Sequence, residues 1–110
     1  MSNKIKKITW KEFDIRCLNM SKIILKNKAI KNIYGICRGG WPIAVKLSHI
    51  TGLPITQKPN QKNTAIVDDI LDSGATRKAF GKFPYFYTLT TKTQEEKEEG
   101  IWYVFPWESK

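Results

Sequence analysis

Apolar positions recur along this chain with two periods, and the switches between them lay out the elements. From Thr9 the period is helical. Trp10, Phe13, Cys17, Met20 and Ile24 fall on one stripe of an amphipathic helix running to about residue 26, and Thr9 with Glu12 forms a capping box at its start. Ile30 to Cys37 reads as a first buried strand, and Gly39-Gly40 breaks it. Pro42 sits in the first turn of a second helix, with Ile43, Ala44, Leu47 and Ile50 on its inner face and Gly52 as its stop. Leu53 to Thr56 is a short second strand, Lys58 to Asn63 a polar turn, and Thr64 to Asp68 a third strand.

The pattern continues with a short helix from about Ala75 to Lys82 and a fourth strand at Tyr85 to Thr91. Gln94 to Gly100 is a charged stretch expected to be a solvated loop, its four glutamates without evident partners, and Ile101 to Phe105 is a last short strand before Pro106-Trp107-Glu108. There is no internal repeat and no linker, so a single domain over 1–110 is expected. Strands alternate with helices, and the connections are long enough for right-handed crossovers, which gives an α/β fold: a parallel sheet with helices on both faces. In such sheets ligands bind at the carboxyl ends of the strands. The ends of the first and third strands carry the two segments of this chain richest in chemistry.

The first is Thr64-Ala65-Ile66-Val67-Asp68-Asp69-Ile70-Leu71-Asp72-Ser73-Gly74-Ala75-Thr76. An apolar strand delivers Asp68 and Asp69 to its end, and Asp72 follows. Then Ser73, Gly74, Ala75 and Thr76 form a turn of small and hydroxylic residues whose N–H groups can surround an anion. Carboxylates beside a phosphate cradle suit sugar hydroxyls or a magnesium ion, which takes oxygen ligands and shares them with phosphates. An ordinary strand-to-helix turn with an N-cap would also contain Asp-Ser-Gly, but it has no need of Asp68 and Asp69. The second segment is Ile36-Cys37-Arg38-Gly39-Gly40. It joins a fixed cation to two glycines at a helix start, a seat for pyrophosphate made of guanidinium and backbone amides.

The Asp68-to-Thr76 run resembles the PRPP-binding motif of the type I phosphoribosyltransferases. With the Thr9-Trp10 helix start and the Arg38-Gly39-Gly40 loop, it resembles the bacterial xanthine-guanine members across nearly the whole chain. The resemblance implies a Rossmann-like phosphoribosyltransferase fold with a reduced C-terminal hood, and transfer of ribose 5-phosphate from PRPP to a 6-oxopurine with release of pyrophosphate. It further implies that Asp68 and Asp69 hold the ribose hydroxyls and Mg2+ as the cofactor, and that Asp72 lies beside the base and handles its proton. Ser73, Gly74, Ala75 and Thr76 would hold the 5′-phosphate, and Arg38, Gly39 and Gly40 the pyrophosphate. Lys92 would donate to the purine 6-oxo group, with Trp102 and Tyr103 stacking on the ring and contacting its 2-position. By themselves Trp102, Tyr103, Phe105 and Trp107 also fit a small hydrophobic cluster capping the sheet, a reading that suits Trp107 better than Trp102. A dimer or tetramer is usual among such enzymes. The segment Lys58–Asn63 is much shorter than the family loop that closes over PRPP.

Composition narrows the partners. The 110 residues carry 19 Lys+Arg against 10 Asp+Glu, a formal net charge of +9 that favours anionic ligands without distinguishing nucleotides, pyrophosphate and RNA. No arginine-rich tract appears, so nucleic acid is not the expected partner. No apolar run approaches the ~20 residues of a membrane span. Lys4, Lys6 and Lys7 precede no apolar core, so a secretory signal is not expected. Cys17 and Cys37 lack metal or redox spacing, which fits a cytoplasmic protein with free thiols. Two other readings stay open on the same fold: a PRPP or nucleotide sensor without turnover, and an RNA-binding regulator.

Overall fold

The computed structural model describes residues 4–71 and 74–108. Its elements run β1 (Ile5–Lys7), α1 (Trp10–Lys26), β2 (Asn32–Gly35), α2 (Gly40–Thr51), β3 (Thr64–Leu71), α3 (Ala75–Ala79), β4 (Phe86–Thr91), α4 (Gln94–Glu99), β5 (Trp102–Val104) and a closing 3-10 turn at Pro106–Glu108. The architecture is α/β with parallel strands throughout, as the alternating pattern requires. One sheet has the order β2-β3-β4, and a second, smaller one pairs β1 with β5.

The helices form where the apolar stripe and the caps agree. Thr9 Oγ1 accepts from Glu12 N at 3.1 Å and starts α1, which buries Phe13, Cys17, Met20, Ser21 and Ile24. Gly52, with φ 78°, ends α2 in the left-handed conformation that favours glycine. Both helices lie on one face of the larger sheet, α2 over β2 and β3 and α1 over β4. There Ile33, Ala65, Val67 and Leu89 meet Ile24, Ile43, Ala44 and Leu47 in one core. Strand alternation sends Tyr34, Ile66 and Phe86, which are in register across the sheet, to the other face. That face is covered by Phe80, whose ring lies 6.1 Å from that of Tyr34, and by Arg77, whose guanidinium sits 4.9 Å over Phe86. Burial in this core pushes the Cys17 thiol up to about 12, so it behaves as an apolar side chain.

Several expectations are corrected. The stretch expected as a solvated loop at Gln94–Gly100 is α4, opened by a complete capping box between Thr93 and Glu96 and closed by Gly100 at φ 69°. Two of its four glutamates form ion pairs: Glu96 is 8% exposed and meets Lys6, and Glu99 meets Lys4 at 3.3 Å. The expected strand at Leu53–Thr56 makes only one parallel bridge, Ile55 to Ile33. Strand β1 is an addition to the expected elements, because three exposed residues leave no burial pattern to read. Trp10 is 56% exposed, an edge partner of Phe13 and Trp107 rather than part of the inner stripe. At the element ends, β2 is shorter than Ile30–Cys37, α3 stops at Ala79 instead of Lys82, and β3 runs on to Leu71.

The turn at 58–63 is fixed at the amino ends of the strands. Asn63 O accepts from Lys31 N at 2.8 Å, Asn60 Oδ1 accepts from Lys62 N and Asn63 N, and Thr64 Oγ1 donates to Asn32 Oδ1 at 2.6 Å. No helix among the described residues is long and apolar enough to cross a membrane.

Candidate functional site

The carboxyl end of β3 and the loop after β2 meet. Gly39 is held so close to Asp69 that a Cβ added there would overlap the Asp69 carboxylate, and one added at Gly40 would overlap the Val67 carbonyl. Only glycine lets the loop approach the strand this closely. Ile36 N donates to Val67 O at 3.0 Å and Gly40 N to Ile36 O at 2.7 Å, which curls the loop before α2; the Cys37–Arg38 peptide within it is cis. Cys37 is exposed, and its sulfur accepts from Trp41 Nε1 at 2.9 Å.

Two adjoining cavities open at this edge. The larger, about 750 Å³, is lined by Arg38, Gly39, Asp69, Trp107 and Glu108. The smaller, about 220 Å³, lies between Asp69, Ile70, Lys92, Trp102, Tyr103, Phe105 and Glu108. Asp69 and Glu108 line both. The first offers a guanidinium opposite carboxylates, which suits a polyanion carrying a cation. The second has a floor of aliphatic and aromatic side chains with one ammonium, which suits a flat heterocycle bearing an acceptor.

The adjacent aspartates differ. Strand alternation carries Asp69 to the α2 side of the sheet, where it meets Gly39, and Asp68 to the other side. Asp69 Oδ1 accepts from Ile70 N at 2.8 Å, and Asp68 Oδ1 accepts from Asp69 N at 2.8 Å. Asp68 is 8% exposed and lines neither cavity. Burial first, and the nearby Asp69 carboxylate after it, push the Asp68 carboxyl up to about 6.

Lys92 follows β4; its N–H donates to Leu71 O at 2.9 Å, and its ammonium stands 5.8 Å from the Trp102 ring. Trp102 is 64% exposed, with its indole at the cavity rather than in a core. Trp107 belongs to an aromatic cluster, stacked 5.1 Å from Phe105 and edge-to-face 5.6 Å from Phe13, and lines the larger cavity. Gly74 has φ 82°, opening α3 and placing Ala75 and Thr76 in its first turn. Asp72 and Ser73 lie outside the described residues.

Glu108 carried no assigned role in the sequence reading. It lies in the 3-10 turn, where Oε1 accepts from Phe105 N at 2.9 Å. Its only sequence signal is its place two residues past Pro106, which does not reveal that it joins the two cavities.

No protein-family model matches the sequence, and no curated protein does. Solved structures do match. A purine phosphoribosyltransferase from Pyrococcus horikoshii superimposes with a TM-score of 0.72 at 22% identity, over 96% of this chain and 95% of that one. A xanthine-guanine-hypoxanthine phosphoribosyltransferase from Helicobacter pylori gives 0.69 at 20% identity, over 94% and 93%. A hypothetical protein from Neisseria gonorrhoeae with bound ppGpp gives 0.70 at 14% identity, over 99% and 92%. The chain has the fold of the purine phosphoribosyltransferases.

Proposed function

We propose that the protein is a purine phosphoribosyltransferase, moving ribose 5-phosphate from PRPP to a 6-oxopurine and releasing pyrophosphate. The observation that carries this reading is the convergence of the Arg38-Gly39 loop and Asp69 on one cavity that adjoins the Lys92–Trp102 cavity. A polyanion subsite and a flat-ring subsite side by side are what a transfer between pyrophosphate and a base needs.

Arg38 and the amides of Gly39 and Gly40 hold the pyrophosphate, and Ser73 through Thr76 hold the 5′-phosphate. Asp69 faces the ribose, where its charge stabilises the positive sugar that develops as the bond to pyrophosphate breaks. Asp72 takes the proton from the ring nitrogen that attacks. Lys92 donates to the 6-oxo group, and Trp102 and Tyr103 form the wall against the ring. The chemistry implies Mg2+. The Asp69 and Glu108 carboxylates on the larger cavity are hard oxygen donors of the kind this ion takes. Asp68, buried and bonded to Asp69 N, fits that task less well and acts instead by shaping the strand end. When bound, Mg2+ neutralises charge on the departing pyrophosphate.

The test is pyrophosphate release from PRPP and Mg2+ with guanine, xanthine, hypoxanthine or adenine, against a no-base control. Release with 6-oxopurines alone, lost in Asp69→Asn, supports the reading. Release independent of base, or retained in full by Asp69→Asn, overturns it.

The Neisseria neighbour with bound ppGpp and the tethering of 58–63 away from this edge favour one second reading: a nucleotide-binding regulator. Tight calorimetric binding of guanine nucleotides without any turnover would establish it in place of the first.

A further inference from the structure

The smaller cavity has two walls from separate parts of the chain. Lys92 comes from the end of β4, in the larger sheet, and Trp102 and Tyr103 come from β5, in the smaller one. The two sheets share no strand, so backbone pairing does not set the distance between these walls. Behind them the walls are joined by α4, with Ile101 N donating to Glu96 O at 3.0 Å, by a hydrogen bond between the Tyr103 and Thr90 side chains, and by the Glu96 carboxylate, which reaches both sides. Glu96 Oε1 accepts from Thr93 N at 3.0 Å, one residue past Lys92, and Oε2 accepts from the Tyr103 hydroxyl, one residue past Trp102. The same Oε2 accepts from Lys6 Nζ at 2.8 Å, which brings in β1. Glu96 is thus bonded to both flanks of the cavity and to the strand that backs β5.

Capping alone does not call for this. A capping box uses one carboxylate oxygen and leaves the other to solvent. Here the second oxygen is buried against an ammonium and a phenol, and Glu96 is 8% exposed. Charge-assisted bonds of this kind are the strong, directional ones. The hydrogen bond from Lys6, with those from Thr93 and Tyr103, holds the Glu96 carboxyl well below the usual carboxylate range, so it stays an acceptor at neutral pH.

We propose that Glu96 is a positioning residue of the ring-binding cavity, fixing the gap between Lys92 and Trp102 into which the heterocycle slides. This rests on the base-binding reading above. A carboxylate that ties both flanks to β1 makes the two walls move as one body, so the ammonium and the indole are already spaced when the ring arrives. Pre-organisation of this kind appears as affinity for the ring and not for the phosphates.

The experiment compares wild type, Glu96→Gln, Tyr103→Phe and the exposed control Glu95→Gln in two readouts. Calorimetry measures GMP binding and, separately, binding of PRPP with Mg2+. Hydrogen exchange follows the amides of Trp102 and Tyr103 against those of Ile66 and Val67. Glu96→Gln keeps the shape and the capping oxygen but loses the charge. It is expected to weaken GMP about tenfold or more, leave PRPP unchanged, and speed exchange in β5 alone. Tyr103→Phe repeats this more mildly, and Glu95→Gln changes nothing. Equal weakening of both ligands, or exchange that speeds in β3 as well, would show a general structural role and overturn the proposal. So would unchanged GMP affinity in Glu96→Gln. If wild type fails to bind GMP, the base-binding reading falls; the exchange arm then decides alone, faster β5 exchange in Glu96→Gln supporting the positioning role and unchanged exchange refuting it.

Discussion

The β2-β3-β4 sheet with α1 and α2, and the β1-β5 hood with α4, are built on different principles. The first is held by burial: Ile24, Ile33, Ile43, Leu47 and Val67 are wholly enclosed. The second has two three-residue strands whose residues are mostly exposed, and it is tied by directed polar bonds around Glu96 and by the stacked Phe105 and Trp107 rings. Apolar burial is diffuse and tolerant of small shifts, while a buried carboxylate with several donors specifies one arrangement. The region that only has to stand uses the first device. The region that must set a distance uses the second.

The largest test of this contrast is Leu47→Ala in α2. Removing a side chain with no exposure should cost about 2–5 kcal/mol, read from the urea midpoint, and the hood should unfold in the same transition because Phe105 and Trp107 rest on the same core. A separate, earlier hood transition in the wild type would break the comparison. Next comes Asp68→Asn at the end of β3. The native carboxyl keeps its proton up to about 6, whereas in the unfolded chain it ionises near 3.9. Its folded pKa is therefore raised. The stability associated with the neutral acid is complete below about pH 4 and is lost as pH rises through about 6. Asp68→Asn should raise stability by up to about 3 kcal/mol above pH 6 and by nothing below pH 4, visible as melting temperatures that diverge from wild type across that window. Flat, parallel pH profiles would show that Asp68 is not the buried acid described here. The smallest effect is expected for Lys46→Ala, whose ion pair to Asp14 at 3.1 Å is solvent-exposed on both sides. It should cost about 0–1 kcal/mol and vanish in high salt. A large loss would show that polar contacts matter as much on the core as in the hood.

This division also explains what the sequence disclosed. The periods of Phe13-Cys17-Met20-Ile24 and Ile43-Ala44-Leu47 survive into structure because burial is what periodicity records. The approach of Arg38-Gly39 to Asp69 was legible too, since both segments end parallel strands and must share an edge. The hood was not. Glu96 looks like its neighbours in a run of glutamates, and only the fold shows that Lys6, some 90 positions earlier, comes to it. Strand β1 has no inner face to mark it, and Leu53–Thr56 carries the residues of a strand but touches β2 at a single bridge. Glu108 gained its place between two cavities from the 3-10 turn, a local bend that residue type alone does not announce.

The closeness of Gly39 to Asp69 makes the two positions a single locus of variation, although 30 residues separate them. A methyl at 39 claims the space that the carboxylate at 69 occupies, so a side chain can enter the loop only if the strand gives one up. Substitutions at these sites should therefore be strongly non-additive: Gly39→Ala harmful beside Asp69, and far milder beside Asp69→Gly. Any selection for a side chain at position 39 would have to change both codons together.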